Sequence, residues 1–191
     1  DAPVHIKRPR DASVHDDGVI RLWDVDTGEQ TRVLSDPGKP RNVVFSPDGT
    51  RLATSGGDRM LRVWDLASDK GVAPLDLTCE GGAGEIFSFC AGAEAILTTG
   101  DGWVHIRDLA SGKESHKLGP VLRRVTSCAC SPSGRWCSGG TWDGAIQVWD
   151  MESGDEVLRL DGHQGRVLAL AFSTNEEILI SGGEDTAVLL W

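Results

Sequence analysis

Apolar and polar side chains alternate in short runs along nearly the whole chain: "VIRLW", "LRVW" and "AIQVW" each place every second residue on one face. A period of two over four to eight residues predicts half-buried β-strands. Runs such as "RNVVFS", "RLATSG", "RVLALAFS" and "EILISGG" read the same way. Turn signals separate them. "SPDG" at 46–49 and "SPSG" at 131–134 combine a Pro suited to a type I turn with a closing Gly. No twelve-residue stretch carries apolar residues at helical spacing, so the expected class is all-β, with strands joined as antiparallel meanders.

The strands recur in a fixed order. The phrases "HDDGVIRLWD", "GDRMLRVWD", "GDGWVHIRD", "WDGAIQVWD" and "GGEDTAVLLW" share one design. Their anchor residues, Trp23, Trp64, Arg107, Trp149 and Trp191, are separated by 41, 43, 42 and 42 positions. An Asp stands six residues before each anchor, at Asp17, Asp58, Asp101, Asp143 and Asp185. Each unit has room for four strands, and one such sheet cannot bury both of its faces, so neighbouring units must stack.

The terminal Trp-Asp, the SPDG turn, the repeated Asp and the Gly162–His163 pair resemble the WD-repeat β-propeller family over nearly the whole chain. The resemblance implies four-stranded blades around a central channel, with the inner strand of each at the channel and the outer one at the rim. About four and a half blades are expected, at roughly 1–34 (partial), 39–77, 83–118, 121–160 and 163–191 (partial). Family rings commonly hold about seven blades, so the chain reads as a segment clipped inside a repeat at both ends. The alternative is a purposely shortened chain that completes its ring by self-association, with "VHI" at 4–6 as a substitute outer strand.

Composition narrows the function. A net charge of −10, with 19 basic and 29 acidic residues dispersed along the chain, disfavours nucleic-acid binding. No apolar run reaches the length that spans a bilayer, so no membrane partner is expected. The five cysteines (79, 90, 128, 130, 137) lack the spacing of a zinc site. They are expected as buried, reduced residues, which favours an intracellular setting. "GGAG" at 81–84 lacks the Lys-Ser/Thr and following helix of a phosphate loop, and the carboxylates of "HDDG" and "GGED" belong to turns. No cofactor or metal is implied. His105, His116, Trp103 and Trp136 are expected as strand, rim and packing residues.

His163, Ser181 and Asp185 carry the residue types of a hydrolytic triad, which is recognised by geometry rather than chain order. The family resemblance implies a structural role instead. Its Gly-His histidine, second-strand hydroxyl, tight-turn Asp and third-strand Trp form a buried hydrogen-bond network, and His163, Ser181, Asp185 and Trp191 have the matching spacing. Partial networks are expected from Ser13, Asp17 and Trp23, from Thr54, Asp58 and Trp64 with Asp36 at the histidine place, and from Ser138, Asp143 and Trp149. The third blade departs further, with Glu80 and Arg107, and the fourth has Pro120–Val121 in place of Gly-His.

By the same resemblance the chain is a non-catalytic platform that binds proteins or peptides. A ligand-free structural or engineered fragment is the alternative, and a propeller hydrolase would need a converging polar set that the sequence does not supply. The family's contact face carries over to Asp16, Lys39, Arg41, Glu85, Arg124, Arg166 and Glu184, together with Trp142, whose indole in a loop turn is hard to explain by packing. An aromatic flanked by guanidinium groups suits a peptide bearing an acidic or phosphorylated residue.

Overall fold

The computed structural model describes residues 10–14, 17–58, 60–67, 75–78, 87–90, 94–100, 102–121 and 124–191. They form five antiparallel sheets, and no helix occurs among the described residues. The chain divides into two compact units, Asp1–Thr78 and Cys79–Trp191.

The first unit holds two sheets. One has three strands in the order β1 (Arg10–Val14), β2 (Val19–Asp24) and β3 (Gln30–Ser35). The other is a four-stranded meander of β4 (Pro40–Phe45), β5 (Arg51–Gly56), β6 (Met60–Asp65) and β7 (Leu75–Thr78). The alternation of "VIRLWD" turns Ile20 and Leu22 into the core, where they meet Leu52, Trp64 and Leu66. Ala12, Val43 and Phe45 pack against the same cluster.

The second unit holds three sheets. β8 (Phe87–Cys90), β9 (Ala95–Gly100), β10 (Trp103–Asp108) and β11 (Glu114–Leu118) form one meander. β12 (Val125–Cys130), β13 (Trp136–Thr141), β14 (Ala145–Asp150) and β15 (Glu156–Asp161) form the next. The last has three strands, β16 (Val167–Phe172), β17 (Leu179–Gly183) and β18 (Val188–Leu190). Leu97, Val104, Ile106 and Leu118 of one meander share a core with Val121, Val125, Cys137 and Trp149. A second cluster joins Ile146 and Val148 to Val167 and Leu179, with Trp136, Phe172 and Trp191 against it. Across this junction Thr126 Oγ1 donates to the Val167 carbonyl at 2.6 Å.

Three inner-strand turns are closed by a residue in the left-handed region. Gly49 (φ 67°) and Gly134 (φ 78°) serve the two SPxG turns, where glycine is free of the Cβ penalty. The last sheet puts Glu176 there instead, at φ 61°. Its carboxylate accepts the Ser133 hydroxyl at 2.8 Å and the Ser133 backbone N–H from the neighbouring sheet. Cross-sheet bonds thus accompany the less favourable backbone.

The cysteine expectation needs correcting. Cys90 and Cys130 form a disulfide between β8 and β12, with Cα atoms 5.3 Å apart. Facing side chains at the ends of two adjacent inner strands meet that distance without backbone adjustment. Cys128 and Cys137 remain thiols. Cys79, the GGAG loop and residues 4–6 lie outside the described residues.

Candidate functional site

The last sheet shows a complete chain of polar contacts. The Trp191 indole N–H, which can only donate, reaches Ser181 Oγ at 2.9 Å. Ser181 Oγ lies 2.8 Å from His163 Nε2, and His163 Nδ1 lies 3.0 Å from Asp185 Oδ1. With Nδ1–H donating to the carboxylate, Nε2 must accept the Ser181 hydroxyl proton. Asp185 also accepts the Gln164 and Ala187 backbone N–H groups at 2.8 and 3.1 Å. The Gln164 N–H is the main reason its carboxyl stays below the ordinary carboxylate range, and the His163 contact adds to it. Ser181 is only 1% exposed, held between indole and imidazole. A nucleophile so enclosed has no approach for a substrate, although its contacts are those of a triad.

The first unit solves the same geometry with charges. Trp64 Nε1–H donates to Thr54 Oγ1 at 3.0 Å, and Thr54 donates to Asp36 Oδ2 at 2.7 Å. Arg62 then pairs with Asp36 at 3.1 Å and with Asp58 at 2.5 Å, so a guanidinium and a carboxylate together span what one imidazole spans in the last sheet. The Arg62 hydrogen bond is the leading cause that lowers the Asp58 carboxyl below its usual value. Arg62 escaped the sequence reading, although its place two residues before the anchor pointed to it. In the first sheet Trp23 donates to Ser13 Oγ at 3.1 Å, while Asp17 accepts the Val19 N–H at 3.0 Å and pairs with Arg21 at 3.5 Å.

The β12–β15 sheet departs from expectation. Ser138 does not reach Trp149; it donates to the Ala129 carbonyl at 3.3 Å. The register explains this. Cys137 pairs with Trp149 and Ser138 with Val148, so Ser138 points to the opposite face of β13. The place a hydroxyl would need is Gly139, and a Cβ there would meet the Trp149 ring at 3.2 Å. Val121, buried at the histidine place, completes an apolar substitute. Asp143 keeps its turn, accepting the Thr141 hydroxyl at 2.6 Å. In the β8–β11 sheet buried Thr98 faces His105, whose Nδ1 lies 2.6 Å from Glu114. Arg107 sits half-buried at the anchor. Glu80 and Asp101 lie outside the described residues.

Four of the expected contact residues meet on one surface. Trp142 sits in the β13–β14 turn and is 52% exposed. The Arg166 guanidinium lies over its ring, 4.9 Å from the centroid. Arg166 Nε is 3.7 Å from the Glu184 carboxylate, and the Glu184 N–H donates to the Arg166 carbonyl at 2.8 Å. The Trp142 N–H donates to the carbonyl of Arg124, itself an exposed residue, at 3.0 Å. Lys39, in the left-handed region at φ 51°, and Arg41 are exposed at the start of β4 in the first unit. Asp16 and Glu85 lie outside the described residues.

The model of the WD domain, G-beta repeat, matches residues 28–65, 112–150 and 154–191, more than half of the chain. The chain belongs to the WD-repeat family. Its sheets are the blades of that family's β-propeller. Periodic tryptophan protein 2 of Arabidopsis thaliana is 31% identical over 91% of this chain and 20% of its own length. THO complex subunit 3 of the same plant is 27% identical over 91% of the chain and 55% of its length. Protein LST8 homolog of Drosophila melanogaster is 23% identical over 90% of the chain and 58% of its length. The WD-repeat chain thus spans less than two thirds of the length of each of these relatives.

Proposed function

We propose that this WD-repeat chain is a non-catalytic platform that holds an extended peptide or protein segment carrying an acidic or phosphorylated residue. The observation that supports the reading is Trp142, a half-exposed indole in a hairpin turn with a guanidinium stacked on it. Packing within a blade explains neither its exposure nor its stacking partner. A flat aromatic face beside Arg166 and Arg124 offers a peptide both stacking area and charge-assisted hydrogen bonds. Glu184 holds Arg166 from behind and so orients the guanidinium before a ligand arrives. Membership of a family in which a relative is named as a complex subunit agrees with protein partners, and an intracellular setting goes with that reading.

The test is a peptide array of phosphoserine, glutamate and neutral sequences, followed by titration of the best binders. Trp142→Ala should weaken them tenfold or more while circular dichroism and melting are unchanged. Unchanged binding, or collapse of the fold, removes the site. The apolar outer face of the last blade supports a second partner, another copy of the chain.

A further inference from the structure

Two neighbouring blades break the repeat at the place where they meet. The inner strand ends on Phe45 in β4 and Phe172 in β16, each opposite a Leu in the next strand, and Phe89 holds the corresponding register in β8. In β12 that place is taken by Cys130. The following position is Ser46, Ser131 or Ser173, each of which ties its turn through Oγ. In the β8 blade that place is taken by Cys90. One blade has lost a phenyl ring and the other a turn-tying hydroxyl, and the two sulfurs that replace them are joined.

Space opens beside the bond. A cavity of about 520 Å³ has Cys90, Ala95, Ile106 and Met151 in its floor. Its mouth carries the carboxylates Glu94, Asp108 and Glu152. The basic side chains of the same lining are His116 and Arg135, and Arg135 is already paired with Asp150 at 3.4 Å. The opening lies at the end of β13 away from Trp142, so it is distinct from the surface above. Cys90 itself is 3% exposed, and among the described residues it is the cysteine that lines this cavity.

We infer that Cys90–Cys130 is a thiol-exchange site, entered through this cavity by a small cationic aminothiol. A thiolate that enters attacks Cys90 Sγ. A bond forms between the incoming sulfur and Cys90, the Cys90–Cys130 bond breaks, and the electron pair leaves on Cys130 Sγ, which takes a proton from solvent. A second aminothiol attacks the mixed disulfide, leaving Cys90 as a thiol and releasing the small-molecule disulfide, so two thiols are oxidised as the protein bond is reduced. The reverse reaction, with that small disulfide as oxidant, restores the staple. Three carboxylates at the mouth favour an ammonium-bearing thiol and oppose the doubly carboxylated glutathione. The neighbouring thiols, Cys137 buried and Cys128 half-buried, do not compete. Cys137 lies directly opposite Cys130, but burial raises its thiol well above the usual value, and burial pushes Cys128 up to about 12. Opening the bond leaves each inner strand on its own ladder, β8 to β9 and β12 to β13, and the shared core intact, so the exchange removes the covalent link between the two blades without dismantling either.

The chain purified with thiols blocked and digested without reductant should yield the Cys90–Cys130 peptide pair; finding both sulfurs alkylated overturns the site. Cysteamine and glutathione are then compared at equal thiolate concentration by timed alkylation and mass spectrometry. Cysteamine should open the bond at least ~5-fold faster, and the double change Glu94→Gln, Glu152→Gln should reduce that preference below ~2-fold. The remote pair Asp26→Asn, Glu29→Gln should leave it intact. Equal rates for the two thiols overturn the proposal, and so does equal loss of preference from the remote pair, which would assign it to the net charge of the whole chain. In Cys130→Ser, cystamine should leave cysteamine on Cys90, and an unmodified Cys90 also overturns it. Because the rate comparison uses the unaltered protein, it decides the matter even if a variant fails to fold.

Discussion

Replacing a buried histidine by a carboxylate changes what the neighbouring side chains must supply. Asp36 cannot donate a proton to Asp58 as an imidazole would, so Arg62 lies between the two. The Arg62 and Asp36 side chains are 7% and 1% exposed. Asp36→Ala therefore leaves the Arg62 guanidinium to Asp58 and takes from Thr54 Oγ1 its buried acceptor. A cost of about 1–3 kcal/mol is expected, typical of losing a buried hydrogen-bond partner, and urea unfolding of the variant measures it. Acid acts on the same groups by linkage. Asp58 and Asp185 have folded-state carboxyls below the unfolded value near 3.9. Their contribution is fully present above that unfolded value and is lost as pH falls through the lower folded one. Between about pH 5 and 7 their contribution is complete and constant, so melting temperatures should not vary through them there and should drop below about pH 4. Asp185→Asn should flatten that acid limb; an unchanged limb would remove Asp185 from the account.

At the scale of the strand, antiparallel pairing converts the distance between a hydroxyl and its Trp along the chain into a choice of face. Ser13, Thr54 and Ser181 all stand ten residues before their Trp and on its face, and each receives the indole proton. Ser138 stands eleven before Trp149, and that one-residue difference sends it to the other face. Gly139→Ser puts the hydroxyl at the right register but brings a Cβ to 3.2 Å from the ring. It should destabilise by about 1–3 kcal/mol, as overpacking does, rather than restore the network. A variant more stable than the parent would show that the indole can move. These cases mark what was legible beforehand. Period-two patterning and the 42-residue repeat determine the strands, because both follow from backbone geometry and burial. The Trp191 chain of contacts is legible from spacing, and so is the gathering of Trp142, Arg166 and Glu184 at loop positions. The Cys90–Cys130 bond was not legible, since it depends on what a side chain meets across a blade junction, and Arg62 was marked only by its place two residues before the anchor, not by its partners.

For the whole molecule, the last blade presents an apolar face that none of the described residues covers. Registered side by side on it are Ala171, Ile180 and Leu190, and next to them Ala169, Gly182 and Val188. Val188 and Leu190 are 70% and 68% exposed, whereas Leu179 and Val167 on the packed side are 6% and 0% exposed. Both faces of this sheet are apolar, as expected of a blade built to be flanked on two sides. An apolar sheet face in water is cohesive, and β18, an edge strand among the described residues, adds backbone groups beside it. In isolation the chain should therefore associate with itself, its sedimentation coefficient rising with concentration. Ile180→Lys with Leu190→Lys places two ammonium groups on the face without touching the His163–Ser181–Trp191 contacts, whose side chains project from the other side. That variant should sediment as a monomer with its melting transition preserved. If the unaltered chain is already a monomer at high concentration, the face is not adhesive, and self-association ceases to be part of how this protein works.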